Sequence, residues 1–191
     1  MKTTKVIIFL FSIILCVSPL CAQSTYSFKK GYHGNVELGA GAVNGGIQQN
    51  FILRNYAGNK EQPEEIIRLS TVHGYSYGNG LFLGAGIGYN FALVNSAQYA
   101  SLFADAKYNV KDASASPFVE GRVGYNFWGE SEGDLGGMLV SLAGGVDTGR
   151  ISIRVGYEYS PLKQCNRISN SSFVWCYYIM NQFFFSLAFN F

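Results

Sequence analysis

Residues 183–191 read Phe183-Phe184-Phe185-Ser186-Leu187-Ala188-Phe189-Asn190-Phe191. Successive side chains of an extended strand point to opposite faces. Phe183, Phe185, Leu187, Phe189 and Phe191 therefore share one face, and Phe184, Ser186, Ala188 and Asn190 share the other. An edge strand of a soluble protein that displayed so much phenylalanine would invite aggregation. In hydrocarbon the same face is at home.

Period-two alternation runs from this stretch back to residue 31. Ile151, Ile153, Val155, Tyr157 and Tyr159 alternate with Ser152, Arg154, Gly156 and Glu158. Met138, Val140, Leu142 and Val146 oppose Ser141, Ala143, Gly145 and Asp147. Val119, Val123, Tyr125 and Phe127 oppose Glu120, Arg122, Gly124 and Asn126. Leu102, Ala104, Ala106, Tyr108 and Val110 oppose Phe103, Asp105, Lys107 and Asn109. Leu81, Leu83, Ala85, Ile87, Tyr89 and Phe91 oppose Phe82, Gly84, Gly86, Gly88 and Asn90. A less regular segment sets Ile67, Leu69, Thr71 and Tyr75 against Arg68, Ser70 and Gly74. The first sets Tyr32, Val36, Leu38, Ala40 and Ala42 against His33, Asn35, Glu37, Gly39 and Gly41.

Eight segments of about 10–13 residues match tilted strands that cross a bilayer. The expected fold is all-β, an eight-stranded antiparallel transmembrane β-barrel. Parity then sorts the connections. Tyr77–Gly80, Lys111–Ser116 and Thr148–Gly149 become turns at one end. Asn44–Glu65, Ala92–Ala97, Trp128–Gly136 and Pro161–Met180 become external loops at the other. Short turns on one side and longer loops on the other suit a membrane barrel.

Residues 1–22 read as a cleaved signal peptide, with Lys2 and Lys5 before an apolar run from Val6 to Val17. That run of about 12 residues is too short to span a bilayer as a helix. Residues 23–191 form the expected barrel domain. Without Lys2 and Lys5, 12 basic residues face 12 acidic ones. This balance argues against a nucleic-acid partner, which calls for a basic excess. The chain's 15 Phe and 13 Tyr are more than a soluble domain would leave alternating with polar residues, whereas a membrane barrel displays them to lipid and its interfaces.

Thr71-Val72-His73-Gly74-Tyr75, Leu83-Gly84-Ala85-Gly86-Ile87-Gly88-Tyr89, Phe103-Ala104-Asp105-Ala106 and Ser116-Pro117-Phe118-Val119-Glu120 with Gly124-Tyr125 are framework motifs. Through them residues 31–191 resemble the small outer-membrane β-barrels of Gram-negative bacteria, of the OmpA transmembrane-domain and OmpX-like kind. The resemblance implies the fold and the outer membrane, and no reaction. It implies Phe189 and Phe191 as the assembly signal, with the outer-membrane assembly machinery, the bilayer and lipopolysaccharide as partners. The long first loop and two cysteines in the last loop depart from the family.

Eight charged residues are expected to point inward: Glu37, Asp105, Glu120 and Glu158 against Arg68, Lys107, Arg122 and Arg154. The interior of an eight-stranded barrel is just wide enough for side chains to fill it, and paired charges are tolerable there where isolated ones are costly. The expectation is a salt-bridge network that plugs the barrel, with the inward glycines making room for long side chains to cross. A polar conduit and a cup for an apolar ligand are the alternatives. Phe82, Phe103, Phe118 and Phe184 favour the cup.

Catalysis has little to work with. No catalytic residue, metal site or cofactor is expected. His33 reads as a lumen residue and His73 as a member of an interfacial aromatic girdle. Ser76 lies on the opposite strand face from His73. Cys165 and Cys176, the only cysteines after the signal, fall in one external loop, where a disulfide would close about 12 residues and contribute roughly 2–3 kcal/mol. Two unpaired thiols are the alternative. Phe173, Trp175, Tyr177 and Ile179 continue the parity of the last strand, which suggests strands extending above the membrane with an aromatic ridge, as outer girdle or contact surface. The first external loop holds Phe51-Ile52-Leu53 and the charged run Lys60-Glu61-Gln62-Pro63-Glu64-Glu65. Three functions follow: a structural or surface-interaction barrel meeting an extracellular ligand or protein at its loops, a narrow channel or small-molecule carrier, and a lipid A-directed hydrolase or acyltransferase.

Overall fold

The computed structural model describes the backbone of residues 29–48, 64–93, 98–128, 135–169 and 172–191. Side chains are described for 29–42, 65–93, 98–127, 136–161 and 181–191. The expected signal peptide and the apolar and charged runs of the first external loop lie outside these residues, except Glu64 and Glu65, which open a strand.

Eight strands follow in chain order: β1 (Lys30–Gln48), β2 (Glu64–Tyr77), β3 (Leu81–Ala92), β4 (Gln98–Asn109), β5 (Ser116–Trp128), β6 (Leu135–Asp147), β7 (Ile151–Ser169) and β8 (Ser172–Asn190). Each pairs antiparallel with the next, and β8 pairs back onto β1, closing the barrel. Closure abolishes sheet edges around the wall and satisfies its backbone groups internally, the condition for crossing hydrocarbon.

The alternation follows from residue type. Leu38, Ile87, Leu102, Val123, Leu142, Val155 and Phe183 are among the exposed apolar side chains outside. Glu37, Arg68, Asn90, Asp105, Arg122, Arg154 and Gln182 are buried inside. Val72 and Leu139, which the sequence reading left unassigned, join Phe82 and Phe103 in a buried apolar cluster.

At the turn end, the connections are short. Gly78 and Gly80 take φ values of +79° and +87°, and Gly149 takes +85°, a region open to glycine at little cost. Asp147 Oδ1 accepts from the Gly149 amide at 2.8 Å, and the Thr148 amide donates to the Ile151 carbonyl at 2.9 Å. The Phe191 amide and carbonyl each bond Gly34 at 2.9 Å, extending the β1–β8 ladder to the last residue.

Two expected loops are shorter than their sequence suggests. β1 runs to Gln48 and β2 starts at Glu64, which trims both ends of the expected loop Asn44–Glu65. Most of the expected loop Pro161–Met180 is strand: backbone pairing of β7 with β8 continues through Cys165–Trp175 to Ser169–Ser172, with a register shift between Arg167 and Ser169. Pro161 and the polar residues after it read as loop in isolation. The alternating aromatics of β8 continue the strand, and β7 follows by pairing with it.

Inward glycines make room for phenylalanine rings more than for the charged side chains the sequence suggested. A Cβ built on Gly86 would come within 2.7 Å of the Phe103 ring, and one on Gly84 within 2.9 Å of the Phe82 ring. Gly145 faces Phe118 and Gly156 faces Phe184 in the same way. A Cβ on Gly124 would lie 2.6 Å from the Phe103 Cβ, whereas one on outward-facing Gly121 meets only ordinary contact, 3.7 Å from Leu142 Cδ2. Gly124→Val should therefore destabilise the barrel by about 1–3 kcal/mol or more, the usual cost of overpacking. Gly121→Ala should leave stability unchanged. Urea titration of refolded protein in detergent micelles, read by loss of the heat-dependent gel shift, distinguishes the two.

Candidate functional site

The interior is the densest concentration of polar side chains among the described residues. Its centre is the Glu37 carboxylate on β1. Glu37 Oε2 accepts from Arg122 Nη2 at 2.7 Å and from Arg154 Nη1 at 2.5 Å. Ser70 Oγ donates to the same oxygen at 3.3 Å. Arg122 also donates through Nε and Nη2 to Glu120 Oε1, at 3.0 and 2.8 Å. Asp105 Oδ2 lies 3.6 Å from Arg122 Nε, and Glu120 Oε2 lies 3.2 Å from Arg154 Nε. Strands β1, β4, β5 and β7 thus meet across the barrel in one cluster of two guanidiniums and three carboxylates.

Two further pairs lie outside this cluster. Arg68 Nη2 is 2.7 Å from Glu158 Oε2. Lys107 Nζ is 2.5 Å from Oδ2 of Asp147, which the sequence reading put on the inner face without counting its charge. The described interior therefore carries five carboxylates and four cations. Asp147 also anchors the β6–β7 turn through its other oxygen, so a lumen ion pair and a chain reversal share one side chain.

Aromatic rings hold the cations from the side. Arg68 sits over Phe184 at 4.6 Å, Arg122 over Phe103 at 4.8 Å and Lys107 over Phe118 at 5.1 Å. Each ring in turn rests on a glycine. Glycine, phenylalanine and cation recur together at Phe103, Phe118 and Phe184, while Phe82 packs with Val72, Phe103 and Leu139 in the apolar cluster. Toward the loop end, neutral groups take over. Asn90 Nδ2 donates to Ser101 Oγ at 3.0 Å, Ser101 Oγ to Asn126 Oδ1 at 2.6 Å, and Asn126 Nδ2 to Ser160 Oγ at 2.8 Å.

His73 faces outward near the turn end. Its Nδ1 lies 2.5 Å from the Tyr32 hydroxyl and its Nε2 lies 3.1 Å from Thr71 Oγ1. Thr71 Oγ1 donates to the Asn35 carbonyl at 3.0 Å. With that proton engaged, Thr71 accepts from Nε2–H, and Nδ1 accepts from Tyr32. Tyr32 thus directs its hydroxyl proton at the imidazole, while Thr71 directs its own away, at the Asn35 carbonyl. The Phe191 ring meets the imidazole edge-on at 5.9 Å. His33 is half-buried on the inner side, with Nε2 3.1 Å from the Lys29 carbonyl. Among the described residues, no group of three His, Cys, Asp or Glu side chains is arranged to hold a metal. The side chains of Cys165 and Cys176, and with them the expected disulfide, lie outside the described residues. Phe189 and Phe191 are both exposed on the outer wall.

A closed antiparallel barrel of eight strands, apolar outside and polar inside, is the architecture of a small outer-membrane β-barrel. Among solved structures the chain is similar to Neisserial surface protein A, with 14% identity and a TM-score of 0.49 over 85% of this chain and 99% of that one. It is also similar to the outer-membrane protein OprG from Pseudomonas aeruginosa, with 10% identity and a TM-score of 0.49 over 86% and 98%. A third is Ail, the attachment invasion locus protein of Yersinia pestis, solved in complex with the heparin analogue sucrose octasulfate, with 10% identity and a TM-score of 0.44 over 84% and 99%. No protein-family model and no curated protein matches the sequence. The eight-stranded assignment stands on the pairing of this chain's own strands.

Removing one partner of a buried ion pair leaves an uncompensated charge, at a cost of about 3–5 kcal/mol. Glu37 faces two guanidiniums within 2.7 Å, and Glu158 faces one. Glu37→Gln should lower the urea unfolding free energy by that amount in micelles, and Glu158→Gln by less.

Proposed function

We propose that this chain is a membrane-anchored surface-interaction protein whose barrel is a closed support and whose working part is the loop end. One observation carries this reading. β1, β7 and β8 are each 19 residues long, while β2 to β6 are 12–14. The three long strands are neighbours in the closed order β7-β8-β1, and their extra length lies at the loop end. At about 3.4 Å per residue, they extend some 20 Å along the strand direction beyond the others.

Pairing of β1 with β2 stops at Val43–Glu64, and pairing of β6 with β7 stops at Gly136–Lys163. Beyond these rows, β1 and β7 have strand partners on one side only among the described residues. A strand edge accepts an extended segment of another protein by backbone hydrogen bonding. The partner we infer is an extracellular protein segment taken at this edge. Lipopolysaccharide and the bilayer contact the apolar wall, and the assembly machinery reads Phe189 and Phe191.

In this reading the lumen is a plug. Crossed ion pairs and phenylalanine rings support it over a conduit or carrier. In this reading the protein performs no reaction. Replacing residues 163–178 with a two-residue turn should leave a heat-modifiable barrel and abolish binding of the protein to its extracellular partner, read by adhesion of cells expressing it. Full adhesion with the extension removed would contradict the proposal.

A further inference from the structure

The charges of the described lumen do not balance. Two pairs close on themselves, Arg68 with Glu158 and Lys107 with Asp147. The central cluster sets Arg122 and Arg154 against Glu37, Glu120 and Asp105. That leaves one negative charge in surplus, inside a wall where an uncompensated charge is costly.

Asp105 is the carboxyl that the guanidiniums leave over. Glu37 accepts from both of them, and Glu120 accepts twice from Arg122 through Oε1. Asp105 is only 4% exposed, yet Arg122 Nε stands 3.6 Å from its Oδ2, beyond hydrogen-bond length. Its Oδ1 is buried with no donor on it among the described residues. Glu120 Oε2 is in the same condition, because Arg154 Nε lies 3.2 Å away without aiming its proton at it.

These two carboxyls meet each other. Asp105 on β4 pairs with Arg122 and Glu120 on β5 pairs with Lys107, which makes the acids diagonal neighbours on the inner face. Their side chains come within hydrogen-bond range. Ionised carboxylates only accept, so a hydrogen bond between them needs a proton on one. The neighbouring strands bring no spare cation. β3 presents Gly84 opposite Asp105, and β6 presents Ala143 opposite Glu120. Arg68 on β2 and Lys107 on β4 are held by their own acids, and Arg154 on β7 is held by Glu37 on β1.

We propose that Asp105 and Glu120 form a buried proton-binding site, with one proton held between the two carboxyls and completing the charge balance of the plug. The site rests on the filled lumen and not on the loop-end extension. Planar-bilayer recording tests the filled lumen separately. Unfolding exposes both carboxyls to water, where they ionise below neutral pH. The folded barrel then binds one proton more than the unfolded chain, so its stability falls as pH rises and the proton is lost.

The test is infrared spectroscopy of the full refolded barrel in detergent micelles at neutral pH. The wild-type protein should show the carbonyl band of one protonated carboxyl, moving to lower frequency in D2O. Asp105→Asn should lose the band. Glu120→Gln should lose it too, because Glu37 and Asp105 then balance the two guanidiniums. Asp105→Asn keeps the shape of the protonated acid, so its urea midpoint should match that of wild type at about pH 5. The wild-type midpoint should fall below that of the variant by about pH 9. A wild-type barrel without the band would overturn the proposal. So would an Asp105→Asn midpoint lowered as far as that of Glu37→Gln, which would make Asp105 a charged partner of the cluster.

Discussion

The structure depends on a spatial constraint: the interior of an eight-stranded barrel is just wide enough for side chains to fill it, and a buried charge is tolerable there where it finds a partner across the lumen. Glu37 meets this constraint for two guanidiniums at once. Arg122 bridges Glu37 to Glu120 on its own strand, and Arg154 reaches the same two carboxylates from β7. The wall is held by backbone pairing between neighbouring strands. The cluster adds ties between strands that are not neighbours, so the interior joins β1 to β5 and β7 directly. Breaking any one tie strands a buried charge, which makes the cluster a cooperative unit.

The phenylalanine–glycine layers solve the remaining problem of shape. A guanidinium crossing the lumen needs support along its flank, and a ring supplies it with a favourable electrostatic face. The ring in turn needs a missing side chain on the neighbouring strand. Gly86 and Gly124 do this for Phe103, which carries Arg122. A single substitution at such a glycine would displace a ring, a cation and a carboxylate in sequence. On the outer wall the same residue type varies: the Phe191 and Tyr125 rings lie over Gly34 and Gly136, whereas a Cβ on Gly121 or Gly144 would meet only ordinary contacts.

Much of this was legible in the sequence, and the reason is geometric. A period of two tells inside from outside without knowledge of the partner strand, so the faces of all eight strands could be read from residue order, from Tyr32 to Phe191. Partner choice could not. Arg68 meets Glu158, and Glu37 meets Arg154, at sequence separations set by the stagger of the whole barrel. Asp147 serves both the turn and Lys107, and residue order alone carries only the first role. The extension of β8 is legible in the alternation of Phe173, Trp175, Tyr177 and Ile179, whereas that of β7 is masked by Pro161 and the polar run after it. Of the inward glycines expected to let long side chains cross, Gly84, Gly86, Gly124 and Gly156 face phenylalanines, while Gly39 and Gly88 lie against serines.

The proposed division of labour between a shut barrel and an exposed three-stranded extension turns on whether the crossed ion pairs and rings block the lumen. Planar-bilayer recording of the purified, refolded barrel tests this most directly. The account predicts no steady ion current from the wild-type protein across the range of applied voltage. Stable, uniform channel steps from the wild-type barrel, scaling with salt concentration, would contradict it.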